Sequence, residues 1–178
     1  MFRKRVLGMP ERKPIGEFYT YTTTSLRTLN IYYCLVTVND VIWCEWGDGT
    51  TTLLRGPAGT YATFAAAAHA YPNANATYRS RFSTYKYSSV AGFCLQGTSS
   101  RQLVTGPSPP TDNFPELRGW AFHVTNVTSI PCFSANTKLI FVYAHNSNAA
   151  SYTRGTISTT CNDFQTYNAL LTQTAIDG

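Results

Sequence analysis

The most evident shortage in this chain of 178 residues is charge, because Asp, Glu, Lys and Arg make up only 13% of it. With nine acidic residues, paired carboxylates for acid–base chemistry are hard to find. No apolar run approaches the ~18 residues that predict a membrane-spanning helix. The apolar run after the first charged residues is only Val6-Leu7, too short for a secretion signal. We therefore expect synthesis in the cytoplasm and no membrane partner.

Signatures of catalysis are also lacking. The cysteines are odd in number and include no C-x-x-C pair, which predicts reduced, buried thiols at Cys34, Cys44, Cys94, Cys132 and Cys161. No local signature pairs Cys44 or Cys161 with a histidine as a nucleophile, and His69, His123 and His145 are scattered. The sequence predicts no enzyme, no catalytic residue and no cofactor, and a small-molecule ligand is not expected.

The net charge of +5 is concentrated at the N-terminus. Five basic residues near the start of the chain, offset by Glu11, contribute four of these charges: Arg3, Lys4, Arg5, Arg12 and Lys13. Such a segment is either a solvated tail or an arm that docks on an acidic protein surface or on phosphates. It lacks the interleaved basic and aromatic residues of a nucleic-acid groove, so specific DNA or RNA binding is not expected. We predict that residues 1–16 form a partner-binding arm.

Aromatic residues reach 14% and threonine is abundant, a composition that favours strands. Thr77 to Tyr87 alternates, with Tyr78, Ser80, Phe82 and Thr84 on one face. The apolar stretches 29–36 and 41–46 predict a hairpin around Asn39-Asp40. Residues 62–68 fit a helical turn or a strand. Short strands in close succession, with turn signals between them, predict a β-sandwich over residues 17–96.

The second half has a different composition. The Pro/Gly-rich stretch Gly106–Pro110 predicts a stiff connection over residues 97–113. Residues 114–178 then predict a small β-rich module with repeat-like features. The interval from Leu117 to Leu139 is shorter than that from Leu139 to Leu170, so the spacing is not regular.

The most distinctive motif is Gly47-Asp48-Gly49, which follows an apolar stretch. Glycines on both sides allow positive φ, and the aspartate can bond the amides after it, so the motif predicts a turn. We expect His69 and Tyr71 to brace the neighbouring strand. The functional rival is a Ca²⁺ site on Asp48 with loop carbonyls. Glu45 is the only other acid nearby, so we predict a structural turn and no metal.

Two family resemblances follow from the motifs. Trp46-Gly47-Asp48-Gly49-Thr50, then a loop, His69-x-Tyr71 and Tyr78, resembles the PKD-type immunoglobulin-like domain, which implies a two-sheet sandwich over residues 17–96. Residues 126–133, N-V-T-S-I-P-C-F, followed by Leu139–Val142, resemble a leucine-rich-repeat unit of bacterial and phage surface proteins. A small β-module without solenoid character is the alternative for this part.

Together these features predict a non-enzymatic structural protein of a phage particle, either a capsid decoration or a tail-associated protein. It would assemble in the host cytoplasm with other virion proteins and with copies of itself, through the arm and Tyr-rich strand faces. The alternative is a bacterial cell-surface adhesion module that binds glycan or protein. A third option is an accessory domain of an enzyme.

Overall fold

The described part of the chain is built from β-strands. The computed structural model describes residues 11–56, 64–97, 104–105, 114–123, 133, 135–145 and 161–165. Within them there is no α-helix, and one 3-10 helix covers Tyr87–Ser89. The strands in chain order are β1 (Lys13–Tyr21), β2 (Thr28–Leu35), β3 (Val41–Glu45), β4 (Thr51–Arg55), β5 (Ala65–Ala70), β6 (Thr77–Thr84), β7 (Val90–Gly97), β8 (Val104–Thr105), β9 (Gly119–His123), β10 (Phe141–Tyr143) and β11 (Asp163–Gln165).

The strands form two sheets. One has five strands in the order β4-β3-β6-β1-β8, and the other has six in the order β11-β10-β9-β7-β2-β5. Side chains from both sheets contribute to one buried core, as in a β-sandwich. The predicted mainly β sandwich is therefore confirmed, whereas the immunoglobulin-like and leucine-rich-repeat resemblances remain predictions. None of the helices described here has the length and hydropathy needed to cross a membrane.

Strand β6 follows the predicted alternation. Its burial alternates along the strand, with Tyr78, Ser80, Phe82 and Thr84 buried. These residues face the core, and the residues between them face outward. Residues 65–70, in the region where the sequence allowed either a helical turn or a strand, form β5.

The hairpin predicted around Asn39-Asp40 is wrong, because β2 and β3 lie in different sheets. The connection between them crosses from the six-stranded to the five-stranded sheet. The Asp40 carboxylate fixes this connection by accepting hydrogen bonds from the Thr37 amide at 3.0 Å, the Thr37 hydroxyl at 2.9 Å and the Ser89 hydroxyl at 2.9 Å. Turn-forming residues occur both in hairpins and in connections between two sheets, so they do not distinguish the two.

Strands β9, β10 and β11 extend the six-stranded sheet in parallel. Strand β9 pairs with β7. Beyond it, Gly119 of β9 pairs with Phe141 of β10, and Phe141 pairs with Asp163 of β11. The number of residues that separates the two partners in the sequence is therefore the same in both pairings. The same offset recurs at the entry to β10 and β11, where the Ile140 amide donates to the Arg118 carbonyl and the Asn162 amide to the Ile140 carbonyl. Strands β9, β10 and β11 thus continue the sandwich sheet, and β8, inside the predicted connection, pairs with β1.

An aromatic core runs through both parts of the fold. The Phe82 and Phe93 rings lie 5.4 Å apart, Phe93 and Trp120 5.3 Å apart, and Trp120 and Phe133 6.1 Å apart. All four side chains are buried. Trp120 joins the core of the sandwich to the parallel strands, so the two parts share one hydrophobic interior.

Candidate functional site

The Gly47-Asp48-Gly49 motif forms a tight turn between β3 and β4. Gly47 has φ +88° and Gly49 has φ +91°, a conformation that favours glycine at both positions. A Cβ on Gly47 would lie 2.5 Å from the carbonyl oxygen of Arg79, whereas a Cβ on Gly49 would have no neighbour within 4 Å. The first glycine therefore also allows the turn to pack against β6.

The Asp48 carboxylate is held by three donors. Oδ1 accepts from the Thr50 amide at 2.9 Å and from the Thr50 hydroxyl at 2.6 Å, and Oδ2 lies 2.8 Å from Nε2 of His69. Only 4% of the Asp48 side chain is exposed. Burial favours a higher pKa, but the bonds from Thr50 and His69 outweigh it, and the pKa of Asp48 is lowered.

His69 connects this turn to the core. Its ring stacks on Trp46, with centroids 4.4 Å apart and an 8° interplanar angle, and meets the Tyr71 ring edge-on at 4.7 Å. The hydroxyl groups of Tyr71 and Ser80 are 2.7 Å apart, and the Ser80 hydroxyl donates to the Trp46 carbonyl at 3.1 Å. The five residues predicted as turn and brace are therefore brought together at one end of the sandwich: Gly47, Asp48, Gly49, His69 and Tyr71.

Each carboxylate oxygen of Asp48 accepts at least one hydrogen bond, Oδ1 from Thr50 and Oδ2 from His69. Among the described residues, no group of three or more His, Cys, Asp and Glu side chains is arranged to hold a metal ion. The cluster is a network of hydrogen bonds around the stacked rings of Trp46 and His69.

The residues of the predicted arm fall in two regions. Arg12 forms an ion pair with Glu45 at 3.1 Å and lies over the Trp43 ring, 5.0 Å from its centroid. Lys13, the first residue of β1, lies 5.4 Å from the Tyr87 centroid. Arg12 and Lys13 therefore contact their own chain, whereas Arg3, Lys4 and Arg5 lie outside the described residues.

The outer face of the five-stranded sheet is charged. Glu17 on β1 forms ion pairs with two arginines of β6, Arg79 at 2.6 Å and Arg81 at 3.2 Å. The hydrogen bond from Arg79 is the main cause that lowers the pKa of Glu17. Glu45 on β3 lies opposite Arg81, so acidic and basic side chains alternate across three neighbouring strands.

The outer face of the six-stranded sheet is nearly free of charge. Strand alternation and register place the following described residues on it: Thr28, Asn30, Tyr32, Cys34, Ala66, Ala68, Ala70, Gly92, Cys94, Gln96, Gly119, Ala121, His123, Phe141, Tyr143, Asp163 and Gln165. Only Asp163 among these is an acid, and none is Lys or Arg. The Asp163 carboxylate accepts hydrogen bonds from the hydroxyl of Tyr143 and the side-chain amide of Gln165. We call this surface the uncharged face.

A pocket of about 290 Å³ opens on the uncharged face. One row of paired residues crosses β2, β7, β9 and β10 through the pocket, in the order Tyr32, Cys94, Ala121, Tyr143. The small side chains of the two central strands form its floor, and the tyrosines form its walls. The ends are closed by Phe64 and Phe141 on one side and by Gln96 and His123 on the other. We call it the outer-face pocket.

Two glycines create the aromatic end of this pocket. Gly92 and Gly119 are register partners on β7 and β9. A Cβ on either would come closer than 3.0 Å to a ring, that of Phe64 above Gly92 and that of Phe141 above Gly119. The two rings, with centroids 6.0 Å apart, therefore lie over a floor without side chains.

The opposite end of the pocket is polar. It is formed by the side-chain amide of Gln96 and the ring of His123. The His123 ring packs edge-on against Tyr143 at 6.1 Å. Burial, reinforced by the neighbouring His145, lowers the pKa of His123, so this end carries polar but uncharged groups near neutral pH.

The pocket could not be predicted from the sequence, because its residues come from four strands and the segment before β5. One available signal was the alternation in β2, which separates Tyr32 from the apolar residues on either side of it. The other was the constant offset between parallel strands, which places Ala121 and Tyr143 side by side in the sheet.

Comparisons of the chain with models of known protein families, with curated proteins and with solved structures found no match.

Proposed function

We propose that this protein is a non-enzymatic structural component of a phage particle, either a capsid decoration or a tail-associated protein. The proposal combines a two-sheet sandwich with a charge-poor, Tyr- and Thr-rich sequence and a basic N-terminal segment. Its partners are other virion proteins and copies of itself. The sandwich acts as a rigid building block rather than as a scaffold for reacting groups.

The observation that carries the proposal is the contrast between the two outer faces. The charged face has alternating ion pairs that suit contact with water. The uncharged face is six strands wide and bears one carboxylate among its described residues. Weakly charged surfaces mark interaction sites, and the centres of protein interfaces are depleted of charge and enriched in aromatic residues.

The basic segment supplies the second contact. Arg12 and Lys13 already contact Glu45, Trp43 and Tyr87 of their own chain. Attachment to an acidic neighbour is therefore assigned to Arg3, Lys4 and Arg5. Such a contact speeds encounter and weakens with salt, while the uncharged face provides the salt-insensitive part of the interface.

The test adds one charge to each face and measures association. Ala68 on the uncharged face and Thr51 on β4 are both exposed, so each accepts an arginine without a change in the core. Sedimentation velocity of the parent chain should reveal a concentration-dependent oligomer. Ala68→Arg should weaken it at least ~10-fold, equivalent to about 1.4 kcal/mol, and Thr51→Arg should leave it unchanged.

A second measurement addresses the particle. We expect the chain to co-sediment with particles of a phage that encodes it, and an Arg3→Ala/Lys4→Ala/Arg5→Ala variant to be lost from them. The matched control removes three basic residues elsewhere, Arg27, Arg55 and Lys86. A monomeric chain that fails to join particles would contradict the proposal. A monomer that binds glycans would instead favour the adhesion module.

A further inference from the structure

Residues 11–14 lead into the pairing of β1 along the surface of the sandwich. All four are exposed, whereas Ile15, which follows them, is fully buried. The Arg12 guanidinium forms an ion pair with Glu45 at 3.1 Å and lies 5.0 Å from the centroid of the Trp43 ring. Both charged side chains of this pair are 40% exposed, so the contact lies at the boundary with water. We call residues 11–14 the latch.

A second basic side chain holds the latch to a different element. The Lys13 ammonium lies 5.4 Å from the centroid of the Tyr87 ring, which belongs to the 3-10 helix between β6 and β7. Arg12 contacts residues of β3 instead. The latch is therefore held by two cation–π contacts and one ion pair, and none of its own residues is buried.

We propose that the latch is a salt-sensitive device that opens at Ile15 while the rest of β1 stays paired, and that its opening uncovers Trp43. The inference goes beyond the proposed function and does not depend on it, because it concerns the isolated chain. In an assembly, an open latch would give the basic residues ahead of it about 13 Å more reach, the length of four extended residues.

The pairing of β1 with β6 provides the hinge. The register shifts between Pro14 and Gly16, so Ile15 has no partner of its own on β6 and forms a bulge. Before this bulge only Lys13 and Pro14 are paired, and Pro14 has no N–H to donate to the ladder. After it, every residue from Gly16 to Tyr21 is paired. The buried Ile15 side chain anchors the chain in the core, so opening stops there.

The contacts that close the latch are weak enough to break without unfolding of the sandwich. An ion pair between half-exposed side chains changes an equilibrium constant by about fivefold or less, and so does a cation–π contact at an exposed site. Ions in solution screen the attraction between exposed charges. The open form of the latch should therefore gain population as the salt concentration rises.

Trp43 carries an unpaired polar group while the latch is closed. Its indole N–H is shielded from solvent and has no acceptor among the described residues. The Arg12 guanidinium lies over the ring, and the Tyr85 ring meets it nearly at a right angle, with centroids 6.3 Å apart. A shielded donor without an acceptor costs free energy, whereas water can accept from it once Arg12 has moved away. This gain favours opening and offsets part of what the ion pair contributes.

Hydrogen exchange of the indole N–H groups, followed by NMR of the ¹⁵N-labelled full chain, measures the opening. Exchange at Trp43 should accelerate ~3- to 10-fold between about 10 mM and about 500 mM NaCl, because its rate follows the open population. Trp46 is the internal reference, since its indole N–H donates to the Thr52 hydroxyl at 2.9 Å and the residue is 1% exposed. The rate at Trp46 should change by less than ~2-fold.

Two variants locate the latch. Arg12→Gln removes the charge that contacts Glu45 and Trp43, so exchange at Trp43 should be ~3- to 10-fold faster at low salt and should lose its salt dependence. Arg27→Gln is the matched control, because Arg27 is also an exposed arginine but donates to the Pro72 carbonyl at 3.1 Å. It should leave exchange at Trp43 unchanged.

Backbone ¹⁵N relaxation of the same samples locates the hinge. In Arg12→Gln the heteronuclear NOE of the Glu11 and Lys13 amides should fall, because the latch spends more time open. The values for Gly16 and Phe18, which lie beyond the bulge, should stay as in the parent chain.

The latch inference is overturned if salt leaves exchange at Trp43 unchanged, or if Arg12→Gln and Arg27→Gln exchange equally fast at this indole. A lower heteronuclear NOE at Phe18 in Arg12→Gln would overturn the hinge at Ile15, because β1 would then open as a whole. These measurements involve no partner. Their failure therefore leaves the proposed function standing, and failure to join particles leaves the latch standing.

Discussion

Removal of the Asp48 side chain should destabilise the fold measurably. Asp48→Ala loses the bonds to the Thr50 amide, the Thr50 hydroxyl and His69. The two bonds to Thr50, which is itself an exposed residue, contribute ~0.5–1 kcal/mol each, and the partly buried bond to His69 contributes ~1–2 kcal/mol. We expect a loss of about 3 kcal/mol in the free energy of unfolding. For a chain of this length, that loss lowers Tm by about 6–12 °C.

Urea unfolding followed by tryptophan fluorescence measures this change. Asp48→Asn is the matched variant, since it keeps an oxygen toward Thr50 and presents an amide to His69, and it should cost only about 1 kcal/mol. A double-mutant cycle with His69→Ala removes the contribution of the Trp46 stack and should leave a coupling energy of ~1–2 kcal/mol. An Asp48→Ala variant within ~0.5 kcal/mol of the parent would refute the reasoning, because the three bonds would then contribute nothing net.

The difference in the free energy of unfolding between the parent and Asp48→Asn should depend on pH. The pKa of Asp48 is lowered in the folded state, so its contribution is fully present above the unfolded-state pKa of about 3.9 and is lost as pH falls through the folded-state value. The stability difference between the parent and Asp48→Asn should therefore shrink as pH falls below about 4. A difference that stays constant throughout acid titration would contradict the proposed role of the carboxylate.

Two further predictions concern local packing. Gly47→Ala should destabilise the chain by about 3 kcal/mol, because the new Cβ meets the Arg79 carbonyl, whereas Gly49→Ala should cost only the ~1–2 kcal/mol of its backbone conformation. Equal urea midpoints for the two variants would exclude the clash. Burial raises the pKa of Cys44, and it raises the pKa of Cys94 to about 12, so both thiols should react with Ellman's reagent at about pH 8 at least ~100-fold more slowly in the folded chain than in urea. Fast labelling of either in the native state would show that its strand opens.

The sequence predicted the strands of the sandwich well where buried and exposed residues alternate within a single strand. The buried face of β6, from Tyr78 to Thr84, could be read directly from the sequence. The chain around Asn39-Asp40 could not, because the same turn chemistry connects two strands of one sheet or of two sheets. Burial of β2 and β3 in separate layers depends on contacts far along the chain, which local propensity does not specify.

The parallel strands show a different limit. Leu117 and Leu139 occupy equivalent buried positions, but the third position holds Cys161 rather than leucine. The next leucine in the sequence is Leu170, so the leucine spacing does not reveal the constant offset between these strands. For the candidate site, Gly47, Asp48, Gly49, His69 and Tyr71 could be predicted to cluster because one motif connects them. The outer-face pocket depends on the register of four strands, which becomes visible only when the sheet is assembled.

The constant offset between β9, β10 and β11 has a consequence for how this chain tolerates changes in length. Excision or duplication of one whole unit, such as residues 119–140, leaves each remaining strand opposite its former type of neighbour. A gain or loss of a single residue within one of these strands would instead turn the side chains that follow it in that strand to the opposite surface. The sheet can therefore be widened or narrowed by whole units while the rest of the sandwich keeps its form.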